Sequence, residues 1–448
     1  MIQSEPVISI GILSEQKTVH IQIHGSAQIN NGEFLSGAFR ITKENKTLNV
    51  ISDEGKEVAR AANLSIVPEN DSTLSFYDVV IGKQFHWERK EIQRFGGSFR
   101  IVPDGENTFC VINDIGVEKY LASVVSSEMR SSAPFEFLKA HAITSRSWLL
   151  AMLREKQQKS LSPQNARLAN KSFEGAEGEI IRWYDREDHR LFDVCADDHC
   201  QRYQGITKDI GNSAGEAVRQ TRGMALMNDD EICDARFHKA CGGRTEEYST
   251  AWEDVSYPYL VSVVDGEGNY PLINTEAAAR KWFSQSPVAN CNVVEEEMLG
   301  SLLPSFDQET TDFFRWTVTY SREELEELFF QKGGVDVGRL IDIEPIQRGS
   351  SGRIVRLKII GTNQQVILGK ELEIRKWFSP SHLYSSGFLV DIARDERGIP
   401  TTITLRGGGW GHGVGMCQIG GAVMAARGYR AEQILAHYFR GAVIKSLY

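Results

Sequence analysis

The sequence predicts an α+β fold, with a β-rich N-terminal unit, a core made of a helical pair plus strands, and a second α+β lobe inserted into that core. Three observations lead there. Short runs of alternating apolar residues, separated by Gly/Asn/Asp turns, fill residues 1–110. Two amphipathic helices follow directly. Strands and helices then mix to the end of a 448-residue chain, a length that suggests about two or three domains.

The N-terminal strands are Val7–Leu13, Val19–Ile23, Phe39–Thr42, Thr47–Ile51, Leu74–Ile81, Phe99–Val102 and Thr108–Ile112. Alternation is clearest in Val19-His20-Ile21-Gln22-Ile23. One helix is expected from Val117 to about Arg130. Another starts after Ser131/Ser132, with Pro134 tolerated in its first turn, and reaches about Lys156. The polar stretch Glu155–Gly178 reads as a loop with one helical turn, and residues 192–265 as strands and long loops. Helices at Glu276–Ser284 and Arg322–Gln331, with strands Ile341–Gln347, Ile354–Gly361 and Gln365–Leu368, make the second lobe. Strand Thr401–Leu405, a glycine-rich strand and two helices, the first about Met416–Arg427, close the chain. The expected domains are 1–110 (β-rich unit), 111–270 (core, first part, with a candidate metal loop), 271–400 (second lobe) and 401–448 (core, second part).

Composition narrows the partners. The apolar and charged fractions, 41% and 25%, are those of an ordinary globular chain. A formal charge of −10 with no basic tract argues against nucleic acid and anionic membranes. No apolar run is long enough to span a bilayer. The opening Met1-Ile2-Gln3-Ser4-Glu5-Pro6 lacks the pattern of an export signal. A cytoplasmic protein is expected, or an envelope one if a leader is missing. Seven cysteines, an odd number in a large chain, fit a reducing compartment and a metal site better than a disulfide framework.

Glu128 is the first residue to suggest chemistry. In the helix from Val117, the residues Val117, Leu121, Val124 and Val125 form an apolar stripe, and Glu128 falls roughly 20° from Leu121, inside it. Lys119, Ser123 and Ser126 are expected on the solvent side. A carboxyl among apolar neighbours is costly unless paired or protonated, and a protonated one suits a general acid near neutral pH. The next helix places Arg146 inside its own stripe of Phe135, Leu138, Ala142, Leu149 and Leu153. A purely structural Glu128–Arg146 ion pair is the competing reading.

The segment Gly409-Trp410-Gly411-His412-Gly413-Val414-Gly415-Met416 places glycine at every second position. As a strand it would present one bare face, useful where another backbone or a flat ligand such as a sugar ring must approach. Trp410, His412, Val414 and Met416 would occupy the other face. A glycine-rich turn into the next helix is the plainer reading. A phosphate loop is disfavoured, because neither GxxxxGK[ST] nor the third glycine of GxGxxG is present.

Three segments together resemble the SpoIID/LytB family of stage II sporulation protein D. They are Tyr120-Leu121-Ala122-Ser123-Val124-Val125-Ser126-Ser127-Glu128-Met129 with Leu138-Lys139-Ala140-His141-Ala142, then Cys241-Gly242-Gly243-Arg244-Thr245, and finally Gly409 to Gln418. The resemblance covers roughly residues 110–445. It implies a peptidoglycan lytic transglycosylase with Glu128 as catalytic acid, cleaving the β-1,4 bond between N-acetylmuramic acid and N-acetylglucosamine to leave a 1,6-anhydro-muramyl end. Ordinary glycoside hydrolysis generally uses two carboxyl groups, and the sequence offers no obvious second one. Its substrates would be peptidoglycan glycan strands or muropeptides. Some family members are described instead as enhancers of autolysin amidases, which gives the alternative of a non-catalytic wall-binding module. Arg146, Tyr203, His238, Trp410, His412 and Gln418 are the candidate substrate contacts, each with packing as its competing role.

His189-x5-Cys195-x3-His199-Cys200 gathers two imidazoles and two thiols within twelve residues, a ligand set that tetrahedral zinc prefers. The spacing is not that of a zinc finger, and adjacent His199 and Cys200 need a tight loop to ligate together. Some SpoIID relatives carry a similar Cys/His zinc site. With four protein ligands the ion would be structural. The competing reading is two buried thiols and two surface histidines in an acidic loop with Asp193, Asp197 and Asp198. A zinc hydrolase, and a Cys/His protease using Cys241 or Cys417 beside His238 or His412, are the other enzyme classes left open.

Overall fold

In a computed structural model of the protein, residues 4–30, 32–82, 88–161, 178–184, 189–208, 212–293, 295–304, 307–308 and 310–448 are described, and they form an α+β fold. Contacts divide the chain into two compact units. The first holds Met1–Arg146, Arg186–Met224 and Ser446–Tyr448; the second holds Ser147–Asp185 and Ala225–Lys445. These limits run differently from the boundaries drawn on the sequence.

The first unit is organised by one large sheet. Strand Val7–Gln16 pairs antiparallel with Phe109–Gly116, which pairs with Ser98–Pro103. The order continues through Leu64–Pro68, Thr18–Ile29, Phe34–Glu44, Thr47–Ser52 and Glu57–Ala61. Thr73–Ile81 pairs with Thr18–Ile29 and with Arg89–Phe95. The strand Arg89-Lys90-Glu91-Ile92-Gln93-Arg94-Phe95 was not expected, because charged residues at most of its positions hide the period-2 signal. On the far side of Val7–Gln16 a two-residue strand, Val194–Cys195, adds in parallel through Ile10↔Val194 and Gly11↔Cys195. That pairing ties the candidate metal loop to the sheet edge.

Helix α1, Val117–Glu128, starts where strand Phe109–Gly116 ends. Its first N–H groups are satisfied from a distance: Val117 N–H donates to Pro6 O at 3.0 Å and Glu118 N–H to Glu5 Oε1 at 3.1 Å. The helix is buried nearly all round, Ser123 and Ser126 included, so the expected solvent face is corrected. Ser126 Oγ donates to the carbonyls of Ala122 and Ser123, and Ser123 Oγ accepts the Gln204 N–H, so these hydroxyls are paired inside the protein. Helix α2, Phe135–Leu161, runs past the expected end near Lys156; the rest of the polar stretch, 162–177, lies outside the described residues.

The second unit contains a three-stranded antiparallel sheet, Arg315–Ser321, Pro400–Gly408 and Phe388–Arg394, in which Pro400–Gly408 is central. A four-stranded sheet runs Glu179–Ile181, Gln365–Gly369, Ile354–Gly361, Leu340–Arg348. Their shared core includes Trp316, Phe329, Leu357, Trp377, Phe388 and Leu405. Phe237–His238 pairs in parallel with Met416–Cys417, which brings the second and third family-like segments side by side.

Candidate functional site

The sequence-predicted site residues divide between the units. Glu128, Arg146, Tyr203 and the four metal candidates lie in the first; His238, Trp410, His412 and Gln418 lie in the second.

Glu128 ends α1 and is 7% exposed. Its Oε1 accepts the peptide N–H of Arg202 at 3.1 Å. The residues after Cys200 dock along α1 in step: Tyr120 O–H donates to Gln201 Oε1, Arg202 N–H to Glu128, and Gln204 N–H to Ser123 Oγ. The carboxyl is therefore oriented by backbone that leads directly out of the Cys/His loop.

Arg146 does not pair with Glu128. Its fully buried guanidinium holds Glu118 through Nε–Oε1 at 3.0 Å and Nη2–Oε2 at 2.6 Å, and Nη1 donates to Met224 O at 3.0 Å. With no surface left, Arg146 serves packing and not substrate contact, which corrects the sequence expectation. Tyr203 is corrected likewise. It is buried, stacks on Tyr120 with centroids 5.2 Å apart, and donates its hydroxyl to Asn113 Oδ1 at 2.6 Å.

Asp198, which reads in the sequence as part of an acidic loop, is half-buried beside Arg202. Its carboxyl is pushed up to about 7, chiefly by burial, with Arg202 opposing and the charges of Asp197 and Glu128 adding to the rise. Arg202 Nε donates to its Oδ1. The Asp198 carboxyl is thus paired with Arg202 and feels the charge of Glu128.

The metal candidates converge. The donor atoms of His189, Cys195, His199 and Cys200 all lie within 4.8 Å of one another. Cys200 Sγ is 3.4 Å from His189 Nε2 and 3.6 Å from His199 Nδ1, and Cys195 Sγ is 4.0 Å from His199 Nδ1. A zinc tetrahedron with ordinary Zn–S and Zn–N bonds sets S···N edges of about 3.6 Å, so the set fits the ion. The Cys195 thiol is held down at about 2, first by its hydrogen bond with Cys200 and then by the two imidazoles, against burial. The Phe192 ring packs on His189 and over Gly11, where any Cβ would lie 2.4 Å from it.

In the second unit the glycine segment is not a strand. Gly409, Gly411, Gly413 and Gly415 all take positive φ, between 75° and 94°, and the regular strand ends at Gly408. A Cβ at Gly413 would stand 2.4 Å from Arg353 Cζ, and one at Gly415 2.1 Å from Arg236 O. The glycines are needed for left-handed turns and for the protein's own close-packed groups, so the bare-face picture is corrected. Arg353, fully buried, holds the loop. It donates from Nε and Nη2 to Gly411 O, from Nη1 to Cys241 O at 3.3 Å, and to Ser351 Oγ at 2.9 Å. Nothing in the sequence around Arg353 signals this role.

The Val414 peptide lies between two imidazoles. His238 Nδ1 donates to its carbonyl at 3.1 Å, and its N–H donates to His412 Nδ1 at 3.0 Å. Burial pushes His238 down to about 3, with Arg353 adding to the shift. His412 is lowered too, by burial first and then by His238. His238 is buried and its Nε2 has no partner among the described residues. His412 is half-buried against the Trp252 ring, 4.8 Å away. Trp410 is half-buried, stacked on Tyr384 at 4.3 Å. Gln418 is buried at the start of helix Gln418–Ala426. Among the described residues neither Cys241 nor Cys417 bonds to an imidazole, as the dyad of a Cys/His protease would.

Comparison with known proteins bears on the first of the family-like segments. Residues 105–228 match the family described as Stage II sporulation protein, SpoIID. That stretch contains Glu128 and all four candidate metal ligands. Residues 105–228 form a SpoIID domain. Residues 246–415 match a domain of unknown function, DUF8618, which lies within the second unit. The chain is 23% identical over 340 residues to stage II sporulation protein D of Bacillus subtilis (strain 168), covering 74% of this chain and 75% of that one. It is 24% identical over 340 residues to the protein of the same name from Bacillus amyloliquefaciens, covering 74% of each. An uncharacterised protein of Brachyspira hyodysenteriae is 23% identical over 345 residues, covering 77% of this chain and 70% of its own.

Proposed function

We propose that this chain is a peptidoglycan lytic transglycosylase in which Glu128 serves as both acid and base. Its SpoIID domain, of a family associated with peptidoglycan degradation, supports a cell-wall role. The observation that carries the residue assignment is that Glu128 is buried, is not tied to Arg146, and is aimed by a peptide N–H.

The reaction follows from one carboxyl group. Glu128 gives its proton to the oxygen linking muramyl C1 to N-acetylglucosamine, and the C1–O bond breaks with the electron pair leaving on that oxygen. The muramyl C6 hydroxyl attacks C1 and closes the 1,6-anhydro ring. Its proton returns to the Glu128 carboxylate, so the acid is regenerated and no water is consumed. His189, Cys195, His199 and Cys200 would hold a zinc ion with all four positions taken, a closed site that fixes the loop. Through Gln201–Gln204 that loop sets the orientation of Glu128.

Ordinary hydrolysis, which uses a second carboxyl, is the competing chemistry. One experiment addresses both. Purified sacculi are digested with the protein and with Glu128→Gln, and the products are identified by mass. Anhydro-muropeptides from the parent and a loss of about 10²–10⁴-fold in the folded variant are expected. Products one water heavier would mean hydrolysis. Undiminished anhydro release by Glu128→Gln would reject the assignment, and glycan binding with no product would favour the amidase-enhancer role.

A further inference from the structure

Cys241, Asp265, Cys291 and Cys417 come from four separate stretches of the second unit, yet their donor atoms all lie within 4.8 Å of one another. Every one of them is buried. The geometry points to a second metal site, a closed Cys3Asp centre for zinc, that staples the Cys241-Gly242-Gly243 turn to the start of helix Gln418–Ala426.

Four features carry this. The first is spacing: Cys241 Sγ and Cys291 Sγ are 3.4 Å apart, close to the edge of about 3.8 Å that Zn–S bonds impose on a tetrahedron. The second is the treatment of the sulfurs. Cys417 Sγ accepts the N–H groups of Cys241 at 3.3 Å and Gly420 at 3.4 Å, and Cys241 Sγ accepts the Gly243 N–H at 3.3 Å. Backbone donors aimed at sulfur offset thiolate charge and are what metal thiolate sites use. The third is Asp265, whose carboxyl no basic side chain pairs among the described residues. A buried carboxylate needs a cation or a proton, and a bound ion supplies the cation. The fourth is orientation. Asp265 Oδ1 accepts Tyr438 O–H at 2.6 Å and Oδ2 accepts Cys291 N–H at 2.9 Å, which leaves each oxygen a lone pair for the metal. Gly420 leaves room for this, since a Cβ there would lie 2.4 Å from both Asp265 Oδ1 and the Tyr438 hydroxyl.

On binding, the three thiols release their protons to solvent and the ion takes four protein ligands. The site then carries two net negative charges, as a four-cysteine zinc site does. With no open position it is structural. Cys417 directly follows the His412–Met416 stretch, and Cys241 shares the Arg353 guanidinium with Gly411, so the ion would fix the same loop that presents Trp410 and His412.

Metal content of the full chain, purified without chelator, tests the proposal independently of any glycan cleavage. Two zinc ions per chain are expected, falling to one in Cys195→Ser/Cys200→Ser and to one in Cys417→Ser. Should Cys417→Ser fail to fold, the Cys195→Ser/Cys200→Ser chain decides alone. One zinc per chain, replaceable by cobalt with an intense tetrahedral thiolate spectrum, supports the site. A metal-free folded double variant overturns it, as does a Cys241–Cys291 disulfide found in the metal-loaded protein.

Discussion

Replacing Arg146 with methionine separates packing from catalysis at the helix pair. The guanidinium is entirely buried and makes two bonds to Glu118 and one to the Met224 carbonyl. Methionine fills much of the volume but gives none of these bonds. Glu118, only 12% exposed at its side chain, keeps the Gly223 N–H and the Tyr448 hydroxyl as donors and loses its counter-charge. Removing one partner of a buried ion pair costs about 3–5 kcal/mol. In a unit of this size each kcal/mol moves the midpoint by about 2–4 °C, so thermal unfolding by circular dichroism should fall by roughly 6–20 °C. Adding Glu118→Gln should recover part of that loss, because no uncompensated charge then remains. Turnover, measured well below the new midpoint, should stay within about threefold of the parent, because Glu128 depends on the Arg202 peptide and not on Arg146. An unchanged midpoint together with lost turnover would refute the reasoning, since Arg146 would then be serving the reaction.

Two further outcomes follow from the second unit. His238 has a folded value of about 3, below the 6.5 of the free side chain, because burial and Arg353 outweigh the opposing Val414 carbonyl, Asp265 and Glu371. Its contribution to stability is complete above pH 6.5 and is lost as pH falls from there towards 3; by pH 5 the loss is about 2 kcal/mol, and His412 acts in the same direction. Denaturant midpoints across this range should flatten in His238→Asn, and an unaltered slope would count against a buried neutral imidazole. Gly413→Ala forces a side chain into φ +84° and against the Arg353 guanidinium, so a loss of about 3 kcal/mol or more is expected in urea unfolding. Parental stability would show that Arg353 does not hold this loop.

The fold was legible where local chemistry and tertiary context agree. Val19–Ile23 alternates because one face of its strand is buried, and the same is visible in the burial of Thr18–Ile29. Strand Ile354–Gly361 and the cap-flanked helix Arg322–Gly333 were readable for the same reason; Ser321 and Glu324 form a capping box. Legibility failed where context overrides local signal. Arg89–Phe95 is a strand because its neighbour Thr73–Ile81 offers an edge; its side chains alternate in burial but not in polarity, so the sequence hides it. Ser123 and Ser126 looked like solvent markers, yet small hydroxyl residues can be buried once a carbonyl or an incoming N–H pairs them.

The candidate site shows the same division more sharply. Periodicity placed Glu128 and Arg146 inside apolar stripes, and both are buried, but periodicity could not say that Arg146 turns to Glu118, the second residue of α1. Ligand chemistry picked out His189, Cys195, His199 and Cys200 because they are close in sequence; the same chemistry missed Cys291 and Asp265, which reach Cys241 and Cys417 only through the fold. Alternating glycines announced an unusual backbone without revealing its hand, because positive φ and close approach leave the same trace in a sequence. Arg353 left no trace at all. A single guanidinium that satisfies carbonyls of two distant loops is specified by three-dimensional neighbours, and its own stretch, Gly349-Ser350-Ser351-Gly352-Arg353, reads only as a turn.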